Sequence, residues 1–466
     1  MTIWTPDIST RPGPKYLAIA DLIGEAISDG LLPVGEKLPP QRNLAYDLGV
    51  TLGTITRAYQ EATRRGLVGG EVGRGTYVLG THGITTPTSG FVSALSSSSD
   101  NRLDFSLATP AVGRGGEYLS RTLRQLSTDR NLGELLAYQP DTALFRHLEA
   151  AATWISRSGL KASPDRIALT NGAQQGIMLS MLTSARTGDV VLSESLTYPG
   201  VIHLASQLGL QLHGVAMDQE GMLPEALEEA CRHMAVRCVY LMPTLQNPTT
   251  ATMTPARRKA IADVARRHDL YIIEDDIWGQ MVDSQPERIS ALAPERSFYV
   301  CSLSKCMAGG LRIGFVLAPE NRIQALRANV RMSNWMTAPL MAEIATRWIF
   351  DGTGDDLISW QRAETRKRTH IAFEALQEFP LRHAPDALHL WLDLPQPWRA
   401  NDFQKECERR GVRLLSAEAF TVGRAPAPHA VRICIGGRNS IGDIKQGMDI
   451  IADTLRNGPG AGFPVI

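Results

Sequence analysis

The chain has 466 residues, too many for one small domain and enough for a large core with an added module. Lys+Arg and Asp+Glu number 48 each, with 43% hydrophobic and 21% charged residues, which describes an ordinary soluble protein and excludes a basic, nucleic-acid-like signature over the whole chain. No apolar run approaches the roughly 18 residues of a membrane span, the N-terminus lacks the basic and apolar regions of a secretory signal, and six cysteines without C-x-x-C or zinc spacing read as reduced thiols. Cytoplasm, no membrane and no metal are therefore the expectations.

The first element is a helix over Tyr16 to Asp29, with Leu17, Ile19, Ala20, Ile23 and Ile27 on one face and Gly30 as its stop. A second starts in Leu38-Pro-Pro-Gln-Arg42 and runs to about Leu48, with Pro40 in the first turn, where a missing N–H costs nothing. After Gly49, Thr51 opens a third helix that ends at Gly66. Two short helices around a tight glycine turn have helix-turn-helix proportions. Leu67-Val68 and Thr76-Tyr-Val78 follow as two strands, with Gly73-Arg74-Gly75 as the turn between them.

That layout suits DNA. The third helix would offer Thr51, Thr54, Thr56 and Arg57 to base edges, while Arg42 and Arg74 would neutralise phosphates. The plainer reading is a small helical bundle with solvated arginines and Thr51 as an N-cap. Basic and acidic residues balance at eight each in residues 1–80, so composition does not decide between the two. Motif order does: Leu38-Pro-Pro-Gln-Arg42-Asn-Leu-Ala, Gly49-Val-Thr, Ala58-Tyr59, Gly66-Leu-Val and Gly73-Arg-Gly-Thr-Tyr-Val together resemble the GntR-type winged helix-turn-helix. The head is taken as residues 12–80. Residues 81–103, with Ser96-Ser-Ser-Ser99, have flexible-linker composition, and residues 104–466 form the body.

In the body, Ile167–Thr170, Val190–Leu192, Val239–Met242, Tyr271–Ile273 and Phe298–Val300 are short apolar runs separated by helical patterns. They predict a largely parallel sheet, and polar signals fall just after the strand ends, where open α/β sheets place ligands. Lys305, flanked by Ser302, Ser304, Gly309-Gly310 and Arg312, can form a Schiff base if its amine is desolvated, and Ser302 and Arg312 can hold a phosphate. Thr170-Asn-Gly172-Ala173-Gln174 reads as a phosphate cradle or as a plain turn. Glu274-Asp275-Asp276 offers a carboxylate for a pyridinium nitrogen or a helix-start acid cluster. Asn247-Pro248 suits a phenolate oxygen or a turn, and Tyr198 suits ring stacking or the core.

In this order and spacing, those motifs resemble the fold-type-I pyridoxal-phosphate aminotransferases over essentially all of 104–455. The resemblance implies an α/β fold with large and small domains and pyridoxal 5′-phosphate as cofactor. It implies Lys305 as the internal aldimine lysine, Asp275 as the pyridinium partner, and Gly172, Ala173, Gln174, Ser302 and Arg312 around the phosphate. Asn247 would contact the ring hydroxyl and Tyr198 would stack. Arg432 would grip a substrate carboxylate, and Tyr138 would reach a neighbouring subunit's site in a homodimer. Leu388-His-Leu-Trp-Leu-Asp393 fits the small-domain strand.

A winged helix fused to such a body resembles the MocR/GabR family of bacterial regulators. That implies a regulator that binds double-stranded DNA at promoter half-sites and senses an amino acid or amine by aldimine exchange at Lys305. The alternatives are an aminotransferase with an accessory head and a scaffold without cofactor.

Three departures stand out. Ile277 and Trp278 occupy the positions where the pattern supplies a tyrosine, which leaves an indole N–H as the substitute partner for the ring hydroxyl. Leu196 replaces a common proline, and the glycine common after the Tyr138-type residue is missing. Cofactor binding is implied; fast transamination is not.

Overall fold

The computed structural model describes residues 4–8, 14–33, 35–64, 67–71, 75–78, 102–139, 143–284, 286–423 and 426–458. The chain divides into two compact units, residues 1–98 with 424–426 and residues 99–423 with 427–466, so the main boundary is Ser98/Ser99. That point lies inside the stretch read as a linker (81–103), of which 81–101 is outside the described residues.

In the N-terminal unit, α1 (Lys15–Ser28), α2 (Gln41–Asp47) and α3 (Leu52–Arg64) pack around Ile19, Ile23, Leu44, Ile55 and Tyr59. Gly30 and Gly49 follow α1 and α2 at φ +75° and +58°, conformations that cost glycine little. The antiparallel strands β1 (Val68–Glu71) and β2 (Gly75–Val78) pair Val68 with Val78 and Glu71 with Gly75, so β1 runs three residues past the expected Val68 end. Arg74 and the rest of the 72–74 turn lie outside the described residues.

The second helix starts later than expected. Leu38 N–H donates to the Thr76 carbonyl at 2.8 Å, which keeps Leu38 extended beside the hairpin. Pro40 precedes the first helical residue instead of standing within the turn. The Tyr59 hydroxyl then locks α3 to this segment by donating to the Pro39 carbonyl at 2.7 Å.

The body holds a seven-stranded sheet. Its strands are β3 (Ile167–Thr170), β4 (Val190–Glu194), β5 (Gln211–Val215), β6 (Val236–Leu241), β7 (Tyr271–Asp275), β8 (Ser297–Ser302) and β9 (Gly314–Leu317). The order is β3-β9-β8-β7-β6-β4-β5. Every pairing is parallel except those of β9, which runs antiparallel to both neighbours. All five expected strands are present; β5 and β9 are additional. The strands β3, β7 and β8 are buried along nearly their whole length, as expected for a sheet covered on both faces. Apolar clusters on its two sides include Ile177, Val201 and Phe298 in one and Leu241, Ile261 and Ile272 in another. Each such side chain contributes about 1.5–3 kcal/mol by leaving water.

A second, antiparallel sheet contains β10 (His389–Asp393) and β11 (Ala430–Cys434), flanked by Leu381–Arg382 and Leu415–Ser416. It packs on Phe105, Phe403, Ile444 and Ile451. The six cysteines are free thiols. Among the described residues no helix is long and apolar enough to cross a membrane.

Candidate cofactor and effector site

Five of the six parallel strands of the large sheet end at Thr170, Glu194, Leu241, Asp275 and Ser302, and Gly172–Gln174, Tyr198, Asn247, Trp278 and Lys305 follow those ends. At the first end, Gly172 stands at φ +82° immediately before the helix α4 (Ala173–Ser184), whose first N–H groups lack partners within the helix. Arg312 lies across from it in a left-handed conformation (φ +55°) and donates from Nη2 to the Asn171 carbonyl at 3.1 Å. A Cβ on Gly172 would meet Arg312 Nη2 at 2.5 Å, and one on Gly314 would meet the Gly172 carbonyl carbon at 2.6 Å. This close approach brings helix N–H groups and a guanidinium together, and the buried Ser302 is the strand partner of Gly314. Gly172→Ala is therefore expected to displace Arg312 and to weaken pyridoxal phosphate binding about tenfold, measured by absorbance titration.

The acid triplet separates by strand alternation. Glu274 accepts from Ser290 N–H at 2.7 Å and Ile289 N–H at 3.1 Å, with Arg258 at 3.9 Å. Asp276 accepts from Arg288 Nε at 3.0 Å and the Tyr299 hydroxyl at 2.7 Å. Asp275, between them, is buried and accepts from the Tyr240 hydroxyl at 2.7 Å and Ile277 N–H at 3.3 Å. Among the described residues it alone of the three has no guanidinium partner. Burial pushes its carboxyl up to about 7. A protonated ring nitrogen is the kind of donor this position lacks.

Lys305 follows β8. Its amine donates to the Ala108 carbonyl and lies 5.5 Å from the centre of the Trp278 ring. Burial pushes the amine down to about 8. Trp278 is fully buried, and its Nε1–H has no partner among the described residues. Asn247 Oδ1 accepts from Arg432 Nη1 at 2.8 Å, and Arg432 Nη2 donates to the Ser106 carbonyl at 2.5 Å. Arg432 Nε is buried without a partner. The Tyr198 hydroxyl donates to Gln174 Oε1 at 2.8 Å. The structure thus gathers Lys305, Trp278, Asn247, Arg432, Asp275, Tyr198 and the Gly172–Arg312 cradle in one unit. Tyr138 is 78% exposed, edge-on to Trp335 at 5.7 Å, with Leu136 and Met332 also exposed.

Sequence reasoning missed Tyr240, read only as part of the Val239–Met242 strand, and the carbonyls of Ala108, Ser106 and Asn171, which carry no side-chain signature. It also missed Glu194, at the end of β4. Glu194 Oε1 accepts from Met242 N–H at 3.1 Å, while Oε2 is buried without a partner. Burial pushes this carboxyl from its ordinary 4.5 up to about 8. The folded body therefore keeps the proton where the unfolded chain releases it. The stabilisation is complete below about pH 4.5 and is lost as pH rises to about 8. Glu194→Gln, which cannot titrate, is expected to flatten this decline in the body's unfolding midpoint over that pH window, measured by calorimetry.

In the N-terminal unit, Arg42 is exposed on α2. Thr51 Oγ1 accepts from Thr54 N–H at 3.3 Å and lies 2.9 Å from Thr54 Oγ1, so it caps α3. Thr56 donates to Gln41 Oε1 at 2.8 Å and ties α3 to α2. The exposed Arg57 stacks over the Tyr16 ring at 4.2 Å.

A seven-stranded sheet with a strand-end lysine, joined to a small antiparallel sheet, is the architecture of fold-type-I aminotransferases. The chain belongs to the aminotransferase class I and II family, whose model matches residues 120–448, and residues 15–78 match the model of bacterial regulatory proteins of the gntR family. An uncharacterized HTH-type transcriptional regulator of Bacillus subtilis (strain 168), YdeF, is 28% identical over 97% of this chain and 96% of its own length. Another, YdcR of Escherichia coli (strain K12), is 25% identical over 88% of this chain and 92% of its own. The structure of a Pyrococcus horikoshii kynurenine aminotransferase superposes with a TM-score of 0.72 at 24% identity, covering 79% of this chain and 93% of that one.

Proposed function

We propose that this chain is a cytoplasmic, DNA-binding transcriptional regulator whose body binds pyridoxal 5′-phosphate at Lys305 and senses an amino acid or amine there. The observation that carries this reading is a desolvated lysine amine in one unit with a buried aspartate that has no guanidinium partner among the described residues, in a chain whose head matches the gntR model. The full-length relatives named as HTH-type regulators support it.

The residues present fit the cofactor: an indole N–H orphaned among the described residues, a cradle that a Cβ would fill and a buried aspartate without a guanidinium partner there. When bound, pyridoxal phosphate supplies an aldehyde that holds primary amines covalently. Ser302, Arg312 and the N–H groups of Gly172–Gln174 would hold its phosphate, and Asp275 its ring nitrogen. Asn247 would donate to the ring hydroxyl, Trp278 would offer its indole N–H beside Lys305, and Tyr198 would cover the ring. Lys305 anchors from a desolvated position where its amine loses its proton readily. Arg432 would fix an effector's carboxylate. In a homodimer, Tyr138 would reach the second copy's site, which accords with its exposure. In the head, Arg42, Arg57 and Arg74 would contact DNA phosphates or bases and Thr51 and Thr54 would lie at the groove, while Thr56 would support α3.

The test is absorbance of the loaded protein during titration with amino acids and amines. The expected result is a lysine-bound cofactor band that at least one of them shifts; no band on loading overturns the reading. Retention of Lys305, Asp275 and Arg432 favours a second reading, an aminotransferase with an accessory head, which steady keto-acid formation would establish.

A further inference from the structure

His389 is not used by any role described so far. It begins β10, directly opposite Cys434 on β11, while Trp391, two residues on, is opposite Arg432. Residues 389, 391, 432 and 434 therefore share one face of the small sheet, and His389 lies diagonally from Arg432 on it. The imidazole is fully buried, and its ring centre lies 5.7 Å from that of Trp278.

The protonation of this ring follows from its one partner. Nε2 lies 3.1 Å from the Gln246 carbonyl oxygen, which only accepts, so Nε2 carries the hydrogen. Nδ1 is left as a bare acceptor, buried without a donor among the described residues. Burial, with Arg432 and Lys305 nearby, holds the imidazole down to about 3, so it stays neutral. Beside it, Trp278 Nε1 is a bare donor, also buried without an acceptor.

A buried donor and a buried acceptor left open in one native site each cost free energy unless a further group completes them. The two rings are packing neighbours, 5.7 Å between centres and tilted by 41°, and each leaves one buried polar atom open among the described residues. A hydroxyl is a group that can satisfy both, donating to one neighbour and accepting from the other.

We propose that His389 and Trp278 form a hydroxyl-binding pair beside Lys305, with Nδ1 accepting from the hydroxyl and Nε1–H donating to it. This rests on the reading of Lys305 as the cofactor anchor. Two hydroxyls meet the requirement: one on the effector's side chain and the one on the cofactor ring.

The test uses full-length protein, with His389→Phe to remove the acceptor and His389→Asn to keep an acceptor near the Nδ1 position. In one arm, calorimetry compares binding of pyridoxal phosphate with that of its 3-deoxy analogue. In the other, the cofactor band is titrated with threonine and valine, serine and alanine, and tyrosine and phenylalanine. The expected result is a preference of about tenfold for the hydroxyl-bearing member in one arm, lost in His389→Phe and restored in part by His389→Asn. The arm that responds identifies the source. If wild type loads cofactor but neither arm shows a preference, or the preference survives in His389→Phe, the pair is wrong and the Lys305 reading stands. If wild type takes up no pyridoxal phosphate, both fall.

Discussion

Lys305→Ala is expected to abolish the cofactor absorbance band and every spectral response to amines, while leaving the body folded. The variant keeps the Gly172–Arg312 cradle and Asp275, so weak non-covalent binding of pyridoxal phosphate remains. Its affinity should fall by on the order of a hundredfold, roughly 3 kcal/mol. Stability separates this loss from unfolding. Burial pushes the amine from its ordinary 10.5 down to about 8, so the folded state holds this proton less tightly than the unfolded chain does. The resulting penalty is fully present below about pH 8 and fades as pH rises to about 10.5. Removing the amine removes the penalty. Lys305→Ala without cofactor should therefore unfold at the same or a higher temperature than wild type at neutral pH. A lower midpoint together with a lost band would make Lys305 a structural residue.

The second large effect is expected in the head. Replacing Arg42 and Arg57 by alanine removes two exposed cations from a unit whose first 80 residues carry no net charge. With no basic excess to compensate, each lost phosphate contact should cost about tenfold in affinity for the chain's own upstream DNA, and the slope of log affinity against log salt should fall by about one per arginine. Thr56→Val, in contrast, should lower the stability of the head by about 1 kcal/mol through the lost Gln41 bond. Fluorescence anisotropy across a salt series distinguishes the two classes. Unchanged affinity and slope in the double arginine variant would remove the head's α2 and α3 from the DNA interface.

The parts of the fold legible in the sequence were those set by local burial. The strands ending at Thr170, Glu194, Leu241, Asp275 and Ser302 are apolar runs because both faces of a parallel sheet are covered. Gln211–Val215 was missed because it is an edge strand, exposed at Gln211, His213 and Gly214. Gly314–Leu317 was missed because it follows the lysine loop and reverses direction between two other strands. Lys305, Asp275 and Arg312 were legible because polar groups at strand ends interrupt the apolar pattern. Tyr240 and His389 sit within apolar runs, and only tertiary packing places the first on Asp275 and the second against Trp278. Thr51 and Thr56 show the converse: their spacing suited base contacts, yet their hydroxyls are engaged in a cap and an interhelical tie.

The most direct test of a sensor built on Lys305 is binding of the full-length, cofactor-loaded protein to its own upstream DNA during titration with amines. At least one amine should change the DNA affinity over the same concentration range in which it shifts the cofactor band, and Lys305→Ala should show neither change. DNA affinity that ignores every amine able to shift the band, or that responds equally in Lys305→Ala, would contradict it.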